Sequence, residues 1–162
     1  MKTIVQLPDP VLRQTAAPVA TSEIKGKHIK TLIEDMKKAV EHEEDAVAIA
    51  APQLGESVRL FVVSKRVDKK YEDDLVFINP EIIRLGKNKT IMQEGCLSVR
   101  WKYGDVKRAT TASVRALNVE GNEFVMNGRG LLAQIFQHEV DHLNGILFID
   151  TAKNIEDIPP QK

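Results

Sequence analysis

The chain has 162 residues, of which 23 are basic and 23 acidic, so its formal net charge of zero argues against a general attraction to nucleic acid or to a membrane surface. This length predicts a single domain over 1–162 that buries roughly two-thirds of the surface exposed by the unfolded chain. A single cysteine excludes an internal disulfide framework, and we expect neither a membrane span nor a signal peptide, which together favour a reducing cytoplasm.

The first part of the chain predicts an irregular segment followed by one helix. Three prolines oppose a long helix within 1–20. Over 24–43, apolar residues recur at helical spacing with lysine and glutamate between them, which predicts an amphipathic helix. His28 and His42 lie on this helix, and we interpret both as surface residues because neither adjoins another candidate metal ligand.

Segments rich in β-branched residues and separated by turn residues follow, which is typical of strands. The predicted strands cover 58–63, 75–78, 82–85, 90–93, 106–119 and 123–126. A polar tail over 153–162 has no such pattern, so we expect it to be loosely held. One helix, several antiparallel strands and then a core helix predict an α+β fold, with the strands packed around that last helix.

The last predicted helix begins after Gly130 and carries the pattern H-E-x-x-H. His138 and His142 are four residues apart, so their imidazoles point into the same space and can share one metal ion. Both histidines share the apolar, core-facing side of the helix, and Gly145 is placed to end it. The opposite side is expected to carry Gln134, Gln137, Asp141 and Asn144.

A catalytic metal site usually has three protein ligands and one open position, so two histidines do not complete it. Cys96, which follows Gly95, is the only cysteine. A lone cysteine is more often a small buried hydrophobe than a ligand, and its role depends on whether the fold brings it to the histidines. Glu139 directly follows the first histidine and is placed to accept a proton from water without binding the metal itself.

Three ordered motifs resemble the signatures of the peptide deformylase family, and the resemblance covers nearly the whole chain. They are Ala46-Val47-Ala48-Ile49-Ala50-Ala51-Pro52-Gln53, Glu94-Gly95-Cys96-Leu97-Ser98 and Gln137-His138-Glu139-Val140-Asp141-His142. The second and third are intact. In the first, Ala46 and Ala48 replace the family's two glycines, and after the second, Arg100 and Trp101 stand where the family usually has proline and often glycine. Both departures lie where the family's substrate channel would be.

The resemblance implies a metal-dependent hydrolase that removes the N-formyl group from N-formylmethionine of newly synthesised polypeptides. It assigns the metal to Cys96, His138 and His142. It assigns the general base to Glu139 and the stabilisation of the developing oxyanion to the Gln53 amide and the Leu97 N–H. Substrate contacts are expected at Ala48, Ile49, Glu94 and Arg100.

The resemblance also implies one divalent metal ion as cofactor. Ferrous iron is the ion that the resemblance favours. Zinc, nickel and cobalt are alternatives, because thiolate and imidazole both accept borderline metals. The expected partners are N-formyl-Met nascent peptides, with contact at the ribosome, and we expect a monomer with no specific nucleic acid or membrane partner. The cytoplasm of a bacterium or an organelle with bacterial-type translation is the expected location.

Two other functions stay open at this point. A deformylase-like hydrolase with an altered substrate or weak activity is suggested by Ala46, Ala48 and Arg100. An H-E-x-x-H metalloprotease that cleaves internal peptide bonds is the second, although such proteases rarely use cysteine as the third ligand. Two interpretations of Glu94 and Arg108 also stay open. They either pair and orient the Cys96 loop or are two unrelated surface charges.

Overall fold

The computed structural model describes residues 2–161, which form two α-helices and eight strands. The helices are α1 (Lys27–His42) and α2 (Leu131–Leu143). The strands are β1 (Ala48–Ala50), β2 (Leu60–Val63), β3 (Leu75–Leu85), β4 (Lys89–Gly95), β5 (Lys102–Ala109), β6 (Thr111–Leu117), β7 (Glu123–Arg129) and β8 (Lys153–Asp157). The strands pair antiparallel in two sheets, ordered β1-β2-β3-β6-β7 and β4-β5-β8. The predicted α+β fold is confirmed.

Strand β2 is buried on both faces of the five-stranded sheet, because a helix covers each face. Leu60 and Val62 belong to the core that α1 closes, whereas Phe61 and Val63 belong to the core around α2. In the α2 core, Phe61 stacks on the Phe77 ring at a centroid distance of 4.5 Å. This two-sided burial explains why β2 is a continuous apolar run instead of an alternating one.

Both predicted helices are present, with small differences at their ends. Helix α1 begins at Lys27 because Gly26 has an extended backbone, but Ile24 before it is still buried. Helix α2 ends at Leu143, and Gly145 follows with a φ of 74°, as expected for the glycine after a helix. Within residues 2–161, neither helix has the length and apolar character needed to cross a membrane.

The strand predictions were wrong where pairing partners, not local pattern, decide the structure. The chain over 75–85 is one strand, because β6 pairs with it on both sides of a register shift at Asn79 and Pro80. The predicted strand 106–119 is two strands that change sheets at Thr110. Strand β1 was not predicted, because three residues form a strand only with β2 beside them.

The tail was also predicted incorrectly over part of its length. Strand β8 pairs with β5, so Lys153–Asp157 is held by main-chain hydrogen bonds although all five of its side chains are exposed. An edge strand with no buried side chain leaves no apolar pattern in the sequence. Those residues are therefore paired with β5 and are not the loosely held tail that the sequence predicted.

Candidate metal centre

The fold brings Cys96, His138 and His142 to one point between the two sheets. Their sulfur and nitrogen ligand atoms all lie within 4.8 Å of one another. His142 Nε2 is 3.3 Å from Cys96 Sγ and 3.2 Å from His138 Nε2. The histidines come from adjacent turns of α2, and the thiol comes from the loop that follows β4. One thiolate and two imidazole nitrogens facing a common centre are a donor set for a divalent transition metal.

A buried carboxylate decides which nitrogen of His138 faces that centre. Glu94 Oε1 lies 2.7 Å from His138 Nδ1, and the two guanidinium nitrogens of Arg108 bind the same carboxylate at 2.7 and 2.8 Å. Burial favours protonation of Glu94, but the hydrogen bonds from Arg108 and His138 outweigh it and lower its pKa to about 2. Because an ionised carboxylate only accepts hydrogen bonds, Nδ1 carries the proton and Nε2 is left to bind a metal.

The electrostatics of the two histidines also fit a bound cation. Burial lowers the pKa of His142 well below its usual range, and the positive charge on His138 acts in the same direction. Burial also disfavours the charged form of His138, but hydrogen bonds to Cys96 and Glu94 reverse this effect and raise its pKa well above the usual range. The surroundings therefore stabilise a positive charge where the donors meet, and a metal that binds there displaces the proton from His138 Nε2, because only a neutral imidazole is a ligand.

Glu139 lies beside the same centre and, within residues 2–161, forms no ion pair with an arginine or lysine. Its Oε1 is 3.8 Å from His138 Nε2, and burial raises its pKa to about 7. Within residues 2–161, Glu139 Oε2 is buried and has no hydrogen-bond partner. A carboxylate with a pKa near neutrality and a free oxygen beside a reaction centre can both take up and return a proton.

Gln53 lies close to the Cys96 thiol and belongs to the short 3-10 turn Ala51–Leu54. Its Oε1 accepts a hydrogen bond from the Ala50 N–H at 2.9 Å, which directs its Nε2 toward the Cys96 loop. There Nε2 donates to Ser98 Oγ at 3.2 Å and lies 3.6 Å from Cys96 Sγ. The Gln53 N–H groups are thus held beside the candidate ligand and away from the bulk solvent.

Gln53, Cys96, His138 and Glu139 line a cleft with a volume of about 340 Å³. Apolar residues line much of it, and Tyr103 from β5 packs against Gly95, where a Cβ would lie 2.5 Å from the ring. Strand β1 is an edge strand, since β2 is its only neighbour in the sheet, and its first residue, Ala48, lines the cleft. The cleft therefore combines apolar walls, the edge strand β1 and the polar side chains of the candidate site.

The residues expected to contact substrate lie in different environments. Ala48 lines the cleft and is half-buried, whereas Ile49 is fully buried in the core under α1 and is not among the lining residues. Glu94 lines the cleft, but its carboxylate is bound by Arg108 and His138. Arg100 lies at the cleft and pairs with Glu43 at 3.0 Å and Asp45 at 3.4 Å.

The pairing of Glu94 with Arg108 is present, and the sequence did not show how far it extends. Arg108 also binds Asp141 at 2.8 Å, so one guanidinium joins the Cys96 loop to α2. Gln137 was predicted on the exposed side of that helix, but it is buried and holds both the N–H and the C=O of Ala109 at 3.0 Å. Because the β5–β6 corner packs against α2 at this point, Gln137 faces protein, whereas Asn144 is exposed.

A family model described as polypeptide deformylase matches residues 1–157. The chain belongs to the polypeptide deformylase family. It is 45% identical over 153 residues to the peptide deformylase of Halothermothrix orenii, covering 94% of each chain. It is 39% identical over 156 residues to that of Rhizobium meliloti, covering 96% of this chain and 87% of the relative. A crystal structure of a peptide deformylase from Legionella pneumophila has a TM-score of 0.86 at 41% identity, covering 95% of this chain and 87% of that one.

Removal of the arginine from the charge network behind the deformylase-family site should be strongly destabilising. We expect Arg108→Met to lower the free energy of unfolding by about 3–5 kcal/mol, because it leaves the Glu94 carboxylate buried with only His138 as a partner. The matched control is Arg115→Met on the next strand, whose side chain is 43% exposed and whose pairs with Glu81 and Glu123 should contribute less than about 1 kcal/mol. Urea unfolding measures both values, and similar losses for the two variants would contradict the prediction.

Proposed function

We propose that the chain is an active peptide deformylase that hydrolyses the N-formyl group of N-formylmethionine at the start of newly made polypeptides. The observation that carries the proposal is the convergence of Cys96, His138 and His142, together with the presence of Cys96, His138, Glu139 and Gln53 in the lining of one cleft. Membership of the deformylase family supplies the reaction class, and the arrangement supplies a residue for each step.

Cys96, His138 and His142 would hold one divalent metal ion. When bound, such an ion supplies Lewis acidity, which makes water a competent nucleophile near neutral pH. We propose ferrous iron as this ion, with zinc, nickel and cobalt as alternatives that the same thiolate and imidazole donors accept. Glu94 orients His138 through its Nδ1–H, so that Nε2 points toward the metal.

The remaining steps belong to the chain's own side chains. As water adds to the formyl carbon, Glu139 accepts the proton that the water loses, and it returns that proton to the amine nitrogen as the carbon–nitrogen bond breaks. The formyl oxygen becomes negative during addition, and we assign its stabilisation to the Gln53 Nε2–H and the Leu97 N–H. Formate and a peptide with a free amino terminus are the products.

The cleft suits an extended peptide with an apolar first side chain. Val47, Leu97, Leu131 and Ile135 provide apolar contact near the centre, which fits the thioether of methionine. We propose that the following residues of the peptide run along the free edge of β1, where main-chain hydrogen bonds bind without selecting side chains. Such a mode suits an enzyme whose substrates share only their first residue.

We place this activity where polypeptides begin with N-formylmethionine, in the cytoplasm of a bacterium or an organelle with bacterial-type translation. Nascent peptides at the ribosome are the proposed substrates, and a monomer suffices because one chain contributes every residue assigned above. An internal-cleaving metalloprotease is not proposed, because the chain belongs to the deformylase family and its cysteine lies with both histidines.

A second candidate is a deformylase with changed substrate handling, which is favoured by the position of Ala46, Ala48 and Arg100 at the cleft. Neither alanine has a positive φ among the described residues, so the backbone itself does not require glycine there. The remaining difference between alanine and glycine is the Cβ atom, which keeps a substrate backbone farther from the strand than a glycine residue would.

Loss of a ligand should remove the metal. Cys96→Ala, His138→Ala and His142→Ala should each lower metal affinity by more than the 10–100-fold typical of residues that only support a ligand. His28→Ala is the control, because that imidazole is 69% exposed and lies on α1. Elemental analysis of protein loaded with Fe(II) or Zn(II) under anaerobic conditions measures the stoichiometry. Full metal content in Cys96→Ala would exclude the thiol from the site.

Loss of the proposed base should affect turnover but not metal binding. We expect Glu139→Gln to keep the metal and the fold, while kcat for a formyl-Met dipeptide falls by about 10²–10⁴-fold, because the amide cannot accept the proton. The native chain should also leave a blocked oligopeptide without a formyl group uncut. Cleavage of that oligopeptide, or normal turnover by Glu139→Gln, would contradict the proposed function.

Restoring glycine should show whether the alanines change substrate handling. We expect Ala48→Gly to raise kcat/KM for a formyl-Met tripeptide, mainly through a lower KM, because its half-buried Cβ lines the cleft. Ala46→Gly is the matched comparison and should gain less, since Ala46 is only 5% exposed. Steady-state kinetics of the two variants decide, and an unchanged KM in Ala48→Gly would show that the strand already fits its substrate.

A further inference from the structure

The segment Val5–Leu7, which we call the amino-terminal strap, joins the two loops that carry the proposed oxyanion donors. The Val5 N–H donates to the main-chain oxygen of Gln53 at 2.7 Å. The Leu7 N–H donates to the main-chain oxygen of Ser98 at 2.9 Å. One extended segment thus connects both loops through main-chain hydrogen bonds, although it is far from either loop in the sequence.

Between these two bonds, the Gln6 side chain spans the turn that follows Cys96. Its Nε2 donates to the main-chain oxygen of Leu97 at 2.7 Å, and its Oε1 accepts from the Arg100 N–H at 3.4 Å. The Val99 N–H donates to the main-chain oxygen of Cys96 at 3.0 Å. The peptide units on both sides of the Leu97 Cα are therefore each held by a hydrogen bond to their oxygen.

Holding these two peptide units fixes the direction of the Leu97 N–H. A peptide unit is planar, so its N–H points opposite to the oxygen whose position the bond to Val99 sets. Among residues 2–161, no hydrogen bond uses the Leu97 N–H, which leaves it available to a molecule in the cleft that Leu97 lines. A preorganised donor stabilises a developing charge without reorganising during the reaction.

We propose that Gln6 is a positioning residue: its side-chain amide holds the peptide unit that follows the Leu97 Cα, which limits rotation at that Cα and helps the bond from Val99 keep the Leu97 N–H directed at the oxygen that becomes negative during deformylation. This inference rests on the proposed function. Gln6 itself is exposed and touches neither the candidate ligands nor Glu139 in any hydrogen bond, so it acts through the Leu97 peptide.

The chemistry predicts which kinetic constant should respond. A less well aimed donor weakens the bond to the oxyanion more than the bond to the neutral formyl oxygen, so kcat falls while KM changes little. Because Gln6 is exposed, its replacement removes two hydrogen bonds without opening a cavity in the core. A loss of stability alone would affect neither constant of the folded enzyme.

The test uses the metal-loaded chain with a formyl-Met tripeptide. Gln6→Met keeps the length of the side chain but removes its donor and acceptor, and Gln6→Glu at pH 8 removes only the donor. We expect both to lower kcat by about tenfold, with KM within about twofold and full metal content, since one misaimed donor should cost less than the 10²–10³-fold of a deleted one. Lys2→Met is the control, because it breaks only an exposed ion pair with Glu56.

A second measurement separates positioning from a general disturbance of the loops. The Gln6→Met change should lower kcat by the same factor in the native background and in Gln53→Ala, because each residue serves a different donor. Native kcat in Gln6→Met, or loss of metal in that variant, would overturn the inference while leaving the proposed function intact. A native chain that does not deformylate the tripeptide would overturn both.

Discussion

The site depends on one buried carboxylate, that of Glu94. It is 5% exposed and lies between the Arg108 guanidinium and the His138 imidazole, and a lone charge there would be very costly. Arg108 makes the charge tolerable, and the charge in turn assigns the proton of His138 to Nδ1. Through Asp141, the same arginine also binds α2. Strand β4, strand β5 and the helix are thereby joined at the point where the candidate metal donors meet.

The other half of the site is held by hydrogen bonds to main-chain atoms. The Gln53 carbonyl accepts from Ala50, and its amide reaches Ser98 in the Cys96 loop. Gln137 holds the N–H and C=O of Ala109, at the corner where the chain passes from one sheet to the other. In each of these two side-chain amides, the oxygen accepts one hydrogen bond and the nitrogen donates another. The bond to the oxygen therefore determines the direction in which the nitrogen points. This arrangement keeps the polar groups of these two buried side chains fixed.

Short-range patterns predicted those parts of the fold that local burial controls. The amphipathic repeat identified α1, and the apolar face with H-E-x-x-H identified α2, because a helix brings residues three and four apart to one side. The same reasoning failed for Gln137, since the polar side of α2 packs against the β5–β6 corner. It also failed for β8, which is held by main-chain pairing with β5 and by exposed side-chain contacts of Asp157 with Lys102 and of Asn154 with Asp105. Neither the corner that packs on Gln137 nor the strand that pairs with β8 can be recognised from the neighbouring residues in the sequence.

By itself, the sequence determined the family and indicated the candidate donor set and the candidate base beside it, because residue types at fixed spacing specify chemistry as well as helix geometry. Cys96 was a candidate by its motif, but only the tertiary structure brought its sulfur to 3.3 Å from His142. Tertiary structure also decided that Glu94 binds His138, that Arg108 binds Glu94 and Asp141 together, and that Gln6 reaches Leu97 across 91 positions of the chain. These contacts join segments that are distant in sequence, so packing of the sheets and helices determines them and local pattern does not.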